Sequence, residues 1–291
     1  MKLLPFTAHF LSNSRLTLEQ MDVRNMCFPR PVLIRLAFLL CLLIPFQSFA
    51  ALKIAIVDTG FCSKRIKTSA SIIIAQAQDM TNSVTLNCDN FKDSDFKTQG
   101  RFHGHLVLEE FLKYVPKESS LTIFPLTIYN ASGKQTIEAW DRAIAWIKKE
   151  NIDLVVTASG LIGASPTHKE LPALWFIPSG RIGGAVKEDS VLFPQSLAPK
   201  ENIFVIGNFI EGKTFIYDQG QLYKDVIDYS FASGDSGLTG TSRTVAHALG
   251  RAIDVCSLNK KMKSPIELRQ CLSKIQKNLY DEVSKKSIKT F

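Results

Sequence analysis

Five runs of consecutive apolar, largely β-branched residues punctuate this chain of 291 residues. A run of that kind is stable as a strand only where both of its faces are covered. They are KIAIVD at 53–58, SLTIFPLTI at 120–128, DLVVTAS at 153–159, ALWFIP at 173–178 and NIFVIGN at 202–208. Between the second and third, IEAWDRAIAWIKKE puts Ile137, Trp140, Ile144 and Ile147 on one helical stripe and closes with Lys148 and Lys149, as a crossover helix does. Trp140 and Trp146 are read as core residues. Buried strands alternating with amphipathic helices specify an α/β domain, three layers deep, around a mostly parallel central sheet.

The rest of the chain extends this pattern. A helix from about Ser242 to Cys256 turns Val245, Ala248, Leu249, Ala252 and Ile253 inward, with Arg243, His247 and Arg251 on its polar side. Pro265 opens a last short helix through Leu272, and Gln219-Gly220 between FIYD and QLY marks a two-residue hairpin turn. With no repeat, linker or low-complexity stretch, residues 51–291 read as a single domain.

Residues 1–50 are of another kind. Arg30 and Arg35 precede LAFLLCLLIPF, and Ser48-Phe49-Ala50 follows, which reads as a secretory signal cleaved near Ala50. The apolar stretch is shorter than the roughly 20 residues that span a bilayer, so no stable membrane insertion is expected after cleavage. Residues 1–25 fit neither signal nor core, which points to a true translation start at Met21 or Met26. Leu52 begins the first strand almost at once, so no pro-segment is expected between signal and domain. The expected location is secreted or periplasmic.

Export leaves Cys62, Cys88, Cys256 and Cys271. Three pairings are open in an oxidising compartment; Cys62 with Cys88 and Cys256 with Cys271 close the shortest loops, and four buried thiols are the alternative. Neither the cysteine spacing nor the acidic loop with Asp89, Asp93 and Asp95 matches a zinc or EF-hand site, so no metal is expected. From residue 51 onward 30 basic and 25 acidic groups remain, without a dense basic stripe, so no nucleic-acid partner is expected. The composition, 45% hydrophobic and 21% charged, excludes a disordered tail and a polytopic membrane protein.

Three polar clusters lie where an α/β sheet presents ligands, at strand C-termini and helix N-termini. Asp58 ends the first strand and is followed by Thr59-Gly60. His103 and Gly104 open a helical pattern in which Leu106, Val107, Phe111 and Leu112 face inward, and by composition alone His105 is an equally visible candidate. Thr241 and Ser242 follow a glycine-rich loop at the start of an amphipathic helix. Each alone has an ordinary reading: a turn aspartate, a helix-start histidine, an N-cap serine. Together they supply the carboxylate, imidazole and hydroxyl that nucleophilic acyl transfer needs.

In these motifs, IVDTG at 56–60, HGHLV at 103–107 and GTSRTVAH at 240–247, the chain resembles the subtilisin-like serine proteases. IDLVVTASG and VLFPQSLAPKENIFVIGNF resemble further family segments, and the likeness runs over about residues 52–256. The resemblance implies a subtilisin-like fold and a serine endopeptidase acting through an acyl-enzyme on a polypeptide substrate, without a cofactor. Asp58 would orient the imidazole, His103 would act as general base and then acid, and Ser242 would attack the carbonyl, its own amide donating to the oxyanion. Segments 129–133 and 157–160, with Ser159 and Gly160, would pair with an extended substrate.

The family's second oxyanion donor is an Asn in an Ala-Gly-Asn segment. Ser179-Gly180-Arg181 stands there in this chain, which makes Arg181 the candidate donor. Arg243 and Thr244 follow the serine in place of Met-Ala, and Ala246 replaces a proline. These departures frame the alternative, a catalytically impaired subtilase-like domain that binds extended peptides.

Overall fold

The expected runs fold as strands, and the side chains along each of them alternate between two apolar clusters. The computed structural model describes residues 51–82, 88, 100–163, 170–210, 216–217, 220–234, 237–258, 263–281 and 286–291. Its elements in chain order are β1 (Leu52–Asp58), β2 (Ile72–Ile74), β3 (Gln78–Asp79), α1 (His103–Leu112), β4 (Leu121–Thr127), α2 (Ile137–Lys149), β5 (Leu154–Thr157), β6 (Leu161–Ile162) and β7 (Leu174–Pro178). They continue with β8 (Leu192–Phe193), β9 (Ile203–Ile210), β10 (Ile216–Tyr217), β11 (Tyr229–Ala232), α3 (Gly240–Val255), α4 (Pro265–Ile275), β12 (Lys277–Asp281) and β13 (Lys286–Thr290).

The main sheet has nine strands in the order β10-β9-β7-β5-β1-β4-β2, with β11 also on β9 and β3 also on β4. Apart from the antiparallel β9–β10 pair its ladders are parallel. Ile54 and Ile56 of β1, Leu154 and Val156 of β5, Phe176 of β7 and Phe204 of β9 enter the cluster packed by α1, α3 and α4. Their neighbours Ala55, Val57, Val155, Trp175 and Val205 enter the cluster packed by α2. Helices therefore cover both faces, the arrangement that continuous apolar strands require.

Local sequence explains the helix limits of α2 and α4. Thr136 accepts from the Ala139 amide to cap α2, and Lys148 and Lys149 sit at its negative end. Ser264 and Glu267 form a reciprocal capping box before Pro265 in α4. Cys62–Cys88 and Cys256–Cys271 are bonded, the second joining the end of α3 to α4. Among the described residues no helix is long and apolar enough to cross a membrane.

Several details depart from the sequence reading. In α1 Leu108 is buried and Leu106 half-buried, because the helix is packed on two sides, by the sheet and by α3. Ile137, at the open N-terminus of α2, is exposed. Ile216 and Tyr217 pair as β10 with β9, while Gln221 bridges to Arg181 beyond β7, so among the described residues no ladder joins FIYD to QLY. The expected signal within residues 1–50, the acidic loop with Asp89, Asp93 and Asp95, and Gln219 of the expected turn lie outside the described residues.

Candidate active site

Asp58 is the last residue of β1, the central strand, and it is fully buried. A carboxylate there demands partners. Its Oδ1 accepts from the Thr59 amide at 2.6 Å and lies 2.8 Å from Nδ1 of His103, while Oδ2 is buried without a hydrogen bond. The imidazole reaches Asp58 because α1 starts hard against the loop after β1. The Gly104 amide donates to Thr59 Oγ1 at 2.8 Å and the Gly60 amide donates to the Arg101 carbonyl at 2.8 Å. A Cβ at Gly104 would stand 2.7 Å from the Phe61 ring and 3.0 Å from Asp58 Cβ, so no larger residue fits that approach. Phe102, just before the histidine, is buried against Cys62 of the disulfide.

Burial disfavours a charged imidazole at His103, but the charge of Asp58 and the hydrogen bond to it outweigh burial and hold the group above its ordinary value. With Nδ1–H donated to Asp58, Nε2 is left as the proton acceptor. His103 therefore has the tautomer and environment of a general base.

Ser242 is half-buried in the first turn of α3. Helix α3 runs back along the sheet from Gly240, whose amide donates to the Ser233 carbonyl just beyond the end of β11. Its first turn therefore lies at the same C-terminal edge as Asp58, and α3 shares the core with α1. The N-cap Thr239 makes no side-chain capping bond, and the first amide of α3, that of Gly240, is satisfied by the Ser233 carbonyl instead. Among the described residues no hydrogen bond joins the Ser242 hydroxyl to His103. Asp58 and His103 are thus directly joined, and Ser242 stands on the adjoining helix.

Ser159 is buried and Gly160 half-buried at the end of β5. Their carbonyls accept from Gln195 (3.2 Å) and Gln135 (3.1 Å), and Gln135 in turn accepts from the Trp140 indole at 2.7 Å. Tyr129 bonds Ser159 Oγ at 3.2 Å. Burial, then the charge of Asp58, push the Tyr129 phenol up to about 12, so it is neutral at physiological pH. Arg181 is exposed after the turn at Gly180, bridged through its backbone to Gln221. Ser179, two residues before it, hydrogen-bonds the buried Gln221 side chain at 2.7 Å.

A cavity of about 640 Å³ opens beside this edge, lined by residues that include Thr59, Gly60, Arg101, Tyr129 and residues 130–133. It brings segment 129–133 to the same hollow as the loop that follows Asp58. Sequence reasoning did not single out Gln135, Gln195 or Gln221, because a lone amide carries no pattern until the fold gives it partners. Among the described residues no group of three His, Cys, Asp or Glu side chains could hold a metal ion. No protein-family model matches the chain, and a search of curated proteins returns no match.

Proposed function

We propose that this chain is an exported, subtilisin-like serine endopeptidase that hydrolyses peptide bonds through an acyl-enzyme. The observation that carries the reading is the 2.8 Å link between buried Asp58 and His103, at the sheet edge where Ser242 lies in the first turn of the neighbouring helix of the same core. Asp58 holds the imidazole with Nε2 free. Nε2 takes the hydroxyl proton of Ser242 as Oγ attacks the carbonyl, then delivers that proton to the leaving amine as the C–N bond breaks. Water repeats the cycle to release the acyl group. The amide of Ser242, in the first turn at the positive end of α3, donates to the oxyanion. An extended substrate lies along residues 129–133 at the rim of the cavity and along Ser159 and Gly160, whose carbonyls are braced by two glutamines. Export is supported by the leader-like segment before Ala50 and by the two disulfides, which persist in oxidising compartments.

The impaired, peptide-binding alternative is favoured by two specific observations. The Ser242–His103 hydrogen bond is not made, and an exposed arginine stands at the place of the second oxyanion donor. The first observation weighs less, since such bonds are often long in unliganded enzymes and tighten with substrate. The second weighs more, because loss of one donor lowers turnover by about 10²- to 10³-fold.

The test is covalent labelling of the purified protein by a fluorophosphonate, beside Ser242→Ala. Labelling that vanishes in the variant supports the hydrolase. Absence of labelling, with extended peptides still bound, supports the impaired alternative and overturns the hydrolase.

A further inference from the structure

Arg243 follows Ser242 directly, and the sequence places it on the polar side of its helix. The fold turns it inward. Its guanidinium makes three separate attachments: an ion pair with Glu110 of α1 at 2.8 Å, a hydrogen bond donated to the Ala232 carbonyl at the end of β11 (2.7 Å), and one donated to the Tyr114 hydroxyl (3.0 Å). The side chain fits because residue 234 is glycine. A Cβ there would lie 2.8 Å from Arg243 Cδ and Nε. Glu110 is 4% exposed and also pairs with Lys113 at 2.6 Å.

These contacts sit in a mechanically specific place. Gly250 of α3 lies against the C-terminal end of α1, where a Cβ would stand 2.8 Å from Tyr114 Cβ, just past that helix, and 2.9 Å from the Phe111 carbonyl oxygen. The Arg243–Glu110 pair spans the same two helices, from the residue that follows Ser242 to the last turn of α1, about two turns beyond His103. Apolar side chains of equal volume would bind the helices at least as strongly as a buried ion pair. What the planar guanidinium adds is direction, through the hydrogen bonds it donates to the Ala232 carbonyl and the Tyr114 hydroxyl, while its contact with Glu110 Oε1 is an ion pair without hydrogen-bond geometry.

We propose that Arg243 is a positioning residue that sets the reach between the Ser242 hydroxyl and the His103 imidazole by acting as a strut between α3, α1 and the end of β11. The inference rests on the hydrolase reading above. A misplacement on the order of 1 Å costs about 10²-fold in rate, so partial loss of the strut is expected to show as a smaller slowing.

The experiment measures fluorophosphonate labelling of the full exported chain at several probe concentrations, giving apparent affinity, maximal rate and labelled fraction. Arg243→Met is expected to lower the maximal rate about tenfold with affinity held within about twofold. Arg243→Lys, which keeps the charge on Glu110, is expected to recover the rate to within about threefold of the parent. Tyr114→Phe removes one hydroxyl from the network and guards against a misfolded Met variant; it is expected to slow labelling about two- to fivefold.

A purely structural role would lower the labelled fraction and leave the rate per labelled molecule unchanged, and that outcome overturns the proposal. So does a Lys variant no faster than the Met variant. An unlabelled parent protein overturns the hydrolase reading instead, and the strut's catalytic role falls with it.

Discussion

Helices α2 and α4 begin differently from α1 and α3. The first two are closed by their own neighbours in sequence, through Thr136 in one case and the Ser264–Glu267 box in the other. Neither Phe102 before α1 nor Thr239 before α3 makes a side-chain cap. Helix α1 is anchored instead from across the sheet edge, by Thr59 and Asp58. Helix α3 is anchored one residue beyond Ser242, by the arginine reaching to α1 and β11. The helices that end their own hydrogen-bonding problem locally are scaffolding. The two that leave it to tertiary partners bring His103 and Ser242 to the same edge.

The strongest way to break this comparison is Asp58→Asn. If His103 is a base set by Asp58, turnover falls by about 10⁴-fold. The pH dependence also has a definite sign. Asp58 raises the imidazole above 6.5, so the rising limb of activity lies above that value in the parent protein. In Asp58→Asn only burial remains, and the limb moves to lower pH. The same shift makes the charged imidazole's contribution to stability fully present below 6.5 and lost as pH climbs through the folded-state value. An unmoved limb in residual turnover, read from pH–rate profiles, would separate His103 from the chemistry.

A smaller effect is expected from Gly104→Ala. The added methyl has to displace Phe61 or Asp58, an overpacking cost of about 1–3 kcal/mol in denaturant titration. Activity should fall further than stability alone explains, because the displaced groups hold the imidazole. The smallest effects compare the two kinds of helix start directly. Thr136→Ala removes a real cap and should cost about 1 kcal/mol without changing labelling by the fluorophosphonate. Thr239→Ala removes no capping bond and should leave the unfolding midpoint within about 0.5 kcal/mol of the parent. Equal losses at both positions would erase the distinction.

What the sequence made legible follows from how local each cause is. The five central strands were readable because a strand buried on both faces needs no partner-specific information beyond continuous apolar character. The disulfide pairs were local as well, whereas the caps at Thr136 and Ser264–Glu267, though equally local, were not singled out. Strands β2, β3, β6 and β8 were not readable. They are two or three residues long, and only the neighbouring ladder gives them extended form. Asp58, His103 and Ser242 could be picked out from their glycine-flanked positions, and the bond between the first two is formed. The direction of Arg243 could not, since it depends on a missing side chain at Gly234 and a buried carboxylate more than 130 residues earlier in the chain. His247 teaches the same point. Assigned to a polar face, it stacks on Tyr114 at 3.6 Å, and burial followed by the nearby Arg243 and Arg251 pushes it down to about 3.

The strand order has one more implication. β1 lies between β4 and β5, paired along Leu52–Asp58 with one and at four positions with the other. Fraying from either margin of the sheet must travel through several ladders before it loosens the residue at the tip of β1. The strand tip that carries Asp58 therefore comes loose only in excursions that dismantle the middle of the domain, the costliest class of opening a folded chain undergoes. Any motion at this edge belongs to the loops around that carboxylate and not to its mooring.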